Sequence, residues 1–212
     1  FKDFDFFDFK QSIQQIDLVY FLLATIFLWG SVWLRGIRWK WLFNDSASPS
    51  VASLYRAELI GYFGNNVLPL RLGEILRAYI VGKENNLPKS FVFGTVVLER
   101  LMDMLALIFF GIILLFLYPF EEGWVGDYIL KGGSVILIII FALIIIRRFK
   151  LKSTENKILR IFNQIMDGLL SIRKKSIIPV VISSILIWSI YLLDVHLIQR
   201  AFQFNLSWTQ SL

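Results

Sequence analysis

The stretch LVYFLLATIFLWGSVWL, residues 18–34, runs for 17 residues without a formal charge. A helix needs about 20 predominantly apolar residues to cross the ~30 Å hydrocarbon core of a bilayer. In lipid, every backbone N–H and C=O must be satisfied within the spanning element, so a run of this kind is helical. The pattern recurs three times along the chain. Leu105 to Phe120 is uncharged, and Phe91 to Leu98 extends it upstream past a short charged patch. Gly132 to Ile146 is uncharged and rich in Ile, and Ser176 to Leu193 adds 18 uncharged residues. Four such runs in 212 residues leave too little polar surface for a soluble protein. The composition agrees: 57% of residues are apolar and 18% charged, against about 25% charged in soluble domains. The fold class expected is all-α, a polytopic membrane helix bundle forming a single membrane domain over 1–212. The expected spans are about 17–35, 90–118, 129–147 and 176–199.

The net charge of +6 is distributed unevenly. Arg35, Arg38 and Lys40 follow the first run; Arg147, Arg148, Lys150 and Lys152 follow the third; Arg173, Lys174 and Lys175 precede the fourth. Glu121, Glu122 and Asp127 follow the second. Positive loops stay cytoplasmic. Residues 35–48 and 147–175 are therefore expected in the cytoplasm, and 1–17, 119–128 and 200–212 outside, in a multi-pass protein of the cell membrane. Six tryptophans, Trp29, Trp33, Trp39, Trp41, Trp124 and Trp188, are read as mostly interfacial. Cysteine is absent, which excludes disulfides and cysteine metal sites. Phe1 to Asp17 reads as a polar, aromatic linker, and the chain is expected to be part of a longer one.

One segment does not make a simple crossing. Between Lys40 and Lys89 both flanks are positive. Ser48-Pro49 suggests an N-cap followed by a proline at the first helical position. The uncharged stretch Leu59 to Leu70 has only 12 residues and is interrupted by Gly64, Asn65, Asn66 and Pro69. Two short helices over about 49–83, hinged at Gly64, Pro69 and Gly73, make a re-entrant hairpin. Irregular backbone at that depth is tolerated only against protein or a wet cavity. Residues 155–172 place Ile158, Phe162, Ile165, Met166, Leu169 and Leu170 at helical spacing, opposite Lys157, Arg160, Asn163, Gln164 and Asp167. Such a helix either lies on the cytoplasmic leaflet or packs against the cytoplasmic end of the bundle.

Ionisable residues at membrane depth face a bundle interior or a cavity. Two clusters qualify: Arg71, Glu74 and Arg77 just past the interruption, and Glu99, Arg100 and Asp103 within the second run. Glu74 and Arg77 share a helix face, as do Glu99 and Asp103. The forked donors of Arg71 and Arg77 suit phosphate. A helix beginning near Gly73 aims its positive end at the break, a device also used by transporters. Asn65 and Asn66 offer amides at the turn. Glu74, Glu99 and Asp103 either receive a cationic part of the same ligand or neutralise the arginines. These eight residues form the candidate binding site for an anionic phospholipid or polyprenyl-phosphate headgroup drawn from the membrane lipids. No residue is assigned a catalytic role, and no metal, cofactor or nucleic acid is expected; homo-oligomer formation is left open. Asp194, His196 and Arg200 are read as interfacial.

The strings Arg35-Gly36-Ile37-Arg38-Trp39, Asn66-Val67-Leu68-Pro69-Leu70-Arg71-Leu72-Gly73-Glu74-Ile75-Leu76-Arg77 and Leu98-Glu99-Arg100-Leu101-Met102-Asp103 together resemble the membrane region of the lysylphosphatidylglycerol synthase/flippase family. The resemblance covers most of the chain. It implies a multi-helix integral membrane protein with re-entrant helices, linked to moving lipid headgroups or lipid-linked sugars between leaflets. It also implies a spanning helix before Phe1 and a second half after Leu212. The soluble aminoacyl-transfer domain of some relatives is not part of this sequence, which argues against synthase activity here. Lipid translocation is the leading function. A membrane glycosyl- or acyl-transferase acting on a lipid carrier, with Glu74, Glu99 or Asp103 as base, is the alternative, and a non-catalytic membrane scaffold is the third.

Overall fold

Hydropathy and backbone satisfaction demand helices, and every regular element among the described residues is helical. The computed structural model describes residues 13–43, 48–117, 130–135 and 156–204, together with Phe6, Lys10 and Asp127; the side chains of Arg71 and of residues 115–117 lie outside that description. The elements are α1 (Leu18–Leu42), α2 (Val51–Val67), a 3₁₀ turn (Pro69–Arg71), α3 (Gly73–Glu84), α4 (Lys89–Leu117), α5 (Lys157–Leu169) and α6 (Lys174–Ala201). Among the described residues, α1 and α6 are long and apolar enough to cross a membrane. Most of the expected third span, 129–147, lies outside the described residues, as do most of 1–17 and 119–128.

The chain divides into two units. One contains 1–34 and 186–212. There Asp17 caps α1, its Oδ1 accepting from the Val19 amide at 2.9 Å. The Asp17 amide donates to the Ala201 carbonyl at 2.9 Å, and the Gln203 side chain donates to the Gln15 carbonyl at 2.8 Å. His196, read from sequence as interfacial, is buried.

The other unit, 35–185, holds the rest. Its core gathers Trp39, Leu42 and Phe43 of the α1 end, Leu54 and Ala57 of α2, Ala78 and Val81 of α3, Val92 and Val96 of α4, and Val180 of α6. Helix α1 does not stop near residue 35, as charge alone suggested. It continues to Leu42, because Arg35 and Arg38 are buried and paired rather than solvated. Helix α2 is capped by Ser50 rather than Ser48: Ser50 is extended at φ −67°, ψ 148°, and its Oγ accepts from the Ser53 amide. At the far end of the hairpin, Arg56 and Ser53 donate to Glu84 at 2.7 and 3.0 Å. The Arg56 hydrogen bond, with help from Ser53, holds the Glu84 carboxyl below the usual carboxylate range.

The turn between α2 and α3 is tight. Pro69 opens the 3₁₀ turn, and Leu70 takes the left-handed conformation at φ 58°, ψ 23°, a strained setting for a residue with a β-carbon. Helices α2 and α3 then pack directly on each other, and α3 packs on α4. The two helices α4 and α5 meet through Gly94 and Gly168. A β-carbon on Gly168 would lie 1.9 Å from the Phe91 carbonyl oxygen, and one on Gly94 would lie 2.1 Å from that of Ile165. Thus α5 packs on α4 through its Gly168–Leu169 end, while Ile158 at its start remains exposed.

Candidate functional site

Charge in an apolar interior must be paired, and the sequence supplies partners from four helices. Arg35 and Arg38 are three residues apart on α1, so both point to one side. Glu58 sits mid-way along α2, Glu74 and Arg77 one turn apart on α3, and Glu99, Arg100 and Asp103 on one stretch of α4. The fold brings all eight together in one connected network.

Glu99 is its centre. It is fully buried and lies 3.3 Å from Arg35, 3.0 Å from Arg38 and 3.0 Å from Arg77. Asp103, one turn on, takes Arg38 at 2.8 Å, Arg35 at 3.1 Å and Arg100 at 3.2 Å. Arg38 also donates to the Ser184 hydroxyl at 3.0 Å. Arg77 pairs with Glu58, and its guanidinium lies 4.8 Å from the centre of the Trp39 ring, a cation–π distance. Glu74 approaches Arg77 at 2.7 Å and Arg100 at 2.8 Å. Four guanidinia face four carboxylates, so the fully ionised network carries no net charge.

The network is graded in exposure. Glu58, Arg77, Arg38 and Glu99 are closed off, whereas the side chains of Glu74 and Arg100 are 22% and 35% exposed. Arg100 and Glu74 therefore form its open edge. One donor remains there: Arg100 Nε is buried with no hydrogen-bond acceptor among the described residues, as are Arg38 Nε and Arg77 Nε in the closed part of the network.

Sequence reasoning placed Glu74, Arg77, Glu99, Arg100 and Asp103 at the site, and the fold joins all five. It missed Arg35, Arg38 and Glu58. The signal for the first two was their three-residue spacing, which matches the four-residue spacing of Glu99 and Asp103 across a helix pair. Asn66 stays outside the network: it is exposed, and its amide donates to its own helix at the Tyr62 carbonyl, 2.8 Å away. Asn65 is half-buried, and its Oδ1 has no donor partner among the described residues. It lines the α2–α3 contact, 2.6 Å from where a β-carbon on Gly73 would sit. The Arg71 side chain lies outside the described residues; its backbone closes the 3₁₀ turn.

Trp39 also departs from the sequence reading. It is fully buried, and its indole N–H donates to Thr95 Oγ1 at 2.9 Å. Thr95 in turn donates to the Val92 carbonyl at 2.7 Å. Trp39→Phe removes this bond while keeping a smaller aromatic face beside Arg77. Thermal melting in detergent should show a loss of about 1–2 kcal/mol, and a melt matching the parent would mean that the indole bond adds nothing.

Beside the network, α3, α4 and α5 enclose an open groove of about 330 Å³. Its walls are mainly apolar, with Lys89 and Ser90 at one side.

Comparison with known proteins bears on this site. The family model described as the lysylphosphatidylglycerol synthase TM region matches residues 1–212. A UPF0104 membrane protein of Methanocaldococcus jannaschii is 28% identical over 149 residues, 68% of this chain and 63% of its own length. Another from Pyrococcus horikoshii is 28% identical over 173 residues, 78% of this chain and 51% of its own. Glycosyltransferase AglD of Haloferax volcanii is 35% identical over 75 residues, 35% of this chain and 12% of its own. The matched stretch is thus less than two thirds of each of these relatives. No solved structure matches.

Proposed function

The chain belongs to the lysylphosphatidylglycerol synthase TM region family of membrane proteins, and from that premise we propose that it binds an anionic lipid headgroup and carries it between leaflets. The observation that carries this reading is the open Arg100–Glu74 edge of an otherwise closed, charge-balanced network. A lipid phosphate displaces the Glu74 carboxylate from Arg100 and takes up the unused Nε donor of that arginine. Arginine forks match phosphate in geometry, and charge-assisted bonds of this kind are among the strongest available. The freed Glu74 is then placed to pair with a cationic group on the same headgroup. With a headgroup that carries such a cation the net charge of the network is unchanged; with a headgroup that carries none, the added negative charge rests on Arg100 at the open edge, where solvent screens it.

The α2–α3 hairpin supports the same reading. Its tip exposes Phe63 (68%), Val67 (62%) and Leu70 (92%). In water such a tip would cost free energy; in hydrocarbon it is at home. On this reading the hairpin is re-entrant and dips into the bilayer from the cytoplasmic side, with 35–48 and 147–175 on that side and 1–17, 119–128 and 200–212 outside. The shared chemistry is a phosphate ester on a lipid anchor, either a phospholipid or a polyprenyl phosphate.

Arg77→Ala is a poor test, because Arg77 is buried against three carboxylates and its loss strands them. Arg100→Gln is cleaner. It removes one charge-assisted bond at the open edge, worth about 1.5–3 kcal/mol to a bound phosphate. Headgroup movement in reconstituted vesicles should fall about tenfold or more, while the melting temperature in detergent stays close to that of the parent, as befits a half-exposed ion pair. Unchanged lipid movement in Arg100→Gln and in Glu74→Gln overturns the proposal.

A second reading is favoured by the match to a glycosyltransferase: the same edge presents a lipid-phosphate carrier to a transfer reaction. Formation of a glycosylated lipid by the purified chain, detected by mass spectrometry, decides for it.

A further inference from the structure

The apolar groove between α3, α4 and α5 is not part of the charged network. Ile75, Ala78 and Tyr79 come from α3, Phe93 from α4, and Ile161 and Ile165 from α5. Several of these are unusually open for their type: Ile75 is 54% exposed, Tyr79 44% and Ile161 39%. At its edge stands Lys89, the first residue of the 29-residue helix α4. Its ammonium lies 4.0 Å from the centre of the Tyr79 ring. It makes no ion pair with a carboxylate among the described residues. A cation parked on an aromatic face at the rim of an apolar trough is matched by one class of ligand, an alkyl chain ending in an anion. The positive end of α4 adds to the same field. Ser90 adds a hydroxyl beside Lys89.

We propose that this groove seats one acyl chain of an anionic phospholipid of the surrounding leaflet, with its phosphate held at Lys89 and the start of α4. The occupant is a phospholipid rather than free phosphate because most of the lining is apolar and has no use for an inorganic ion. Helix α5 is held to α4 by the Gly94–Gly168 contact, and the groove lies between its Ile161 and Ile165 and the Ile75–Tyr79 turn of α3. The proposal extends the lipid-handling reading but does not need it, since a lipid held here can be a structural or an entering molecule.

The test uses the full chain in phosphatidylcholine vesicles doped with a phosphatidylglycerol that carries a diazirine on one acyl chain. After illumination, labelled peptides are mapped by mass spectrometry. Label is expected on residues of 75–79, 90–93 and 161–165. Lys89→Ala should cut it about fivefold, the loss of one interfacial cation, and Ile165→Trp, which fills the trough, should remove it from all three segments. A phosphatidylcholine probe should label several times less. Label spread evenly over the lipid-exposed helices, or unchanged in both variants, overturns the proposal, as does a cross-link from the groove to another segment of this chain in place of lipid. The outcome separates from that of the headgroup exchange: Arg100→Gln should leave groove labelling intact. If labelling persists while Arg100→Gln moves lipid normally, the groove stands and the translocation reading falls.

Discussion

Glu99→Ala is expected to cost this fold about 3–5 kcal/mol. Glu99 is fully buried and touches three guanidinia, those of Arg35, Arg38 and Arg77. Without it, four buried or half-buried arginines face three carboxylates. The surplus positive charge cannot reach water, because Arg38 and Arg77 are themselves closed off. Breaking a buried ion pair from one side costs far more than the net worth of the pair, since the stranded partner keeps its desolvation penalty. Glu99→Gln keeps the shape and one acceptor oxygen but loses the charge and sets an amide donor against a guanidinium, so it should fall between the parent and Glu99→Ala. A second substitution that removes a facing charge should recover part of the loss. Glu99→Gln with Arg35→Gln should therefore lie closer to the parent than the sum of the single losses, with a coupling of about 1–3 kcal/mol. Unfolding in mixed micelles, followed by tryptophan fluorescence, measures the parent, Glu99→Ala, and the Glu99→Gln and Arg35→Gln variants singly and together. A Glu99→Ala protein that unfolds within a few tenths of a kcal/mol of the parent would show that the arginines find other partners.

That network also marks where sequence reading succeeds and where it stops. Hydropathy located α4 and α6 to within a few residues, because period and polarity are local properties of the chain, whereas charge ended α1 too early and the expected third span lies mostly outside the described residues. The hairpin was legible from Gly64, Pro69 and Gly73, which have few other uses inside an apolar run. Glu74, Arg77, Glu99, Arg100 and Asp103 stood out because a charge inside a span is costly and so must be paired. Arg35 and Arg38 did not, because the positive-inside pattern treats any cation after a span as solvated. Only the three-dimensional fact that α1 continues to Leu42 turns them inward. Glu58 was missed for a related reason. It lies just before the uncharged stretch of α2, where an acid reads as a polar flank, and its role depends on Arg77, 19 residues away. The five expected residues that join the network carry one more carboxylate than guanidinium, and Arg35, Arg38 and Glu58 bring it to neutrality. Pairing partners are set by helix packing, which no single segment encodes.

Packing distance is what makes Gly73 the other large effect. It is the first residue of α3, and a β-carbon there would lie 2.0 Å from the Gly61 carbonyl oxygen, 2.6 Å from Asn65 Oδ1 and 2.7 Å from the Asn65 amide nitrogen. Two of these three atoms are backbone and cannot rotate away. Gly73→Ala must therefore push α3 off α2 by about 1 Å, since carbon and oxygen need about 3–3.5 Å between centres. Arg77 follows one turn later on the same helix, so the shift also loosens its contacts with Glu58 and Glu99. Overpacking alone costs about 1–3 kcal/mol, and the disturbed ion pairs add to it. Two other glycines calibrate the measurement. A β-carbon on Gly64 would meet the Gly73 Cα at 3.0 Å, a tight but softer contact, whereas one on Gly30 would meet nothing within 4 Å. Gly30→Ala should be neutral or stabilise α1 by up to about 1 kcal/mol, because alanine favours helix over glycine. Melting temperatures in detergent should thus fall in the order Gly30→Ala, Gly64→Ala, Gly73→Ala, with headgroup movement lost in the last. If Gly73→Ala melts with Gly30→Ala, the two hairpin helices do not touch where the fold places them, and Arg77 is not held against Glu58 by that contact.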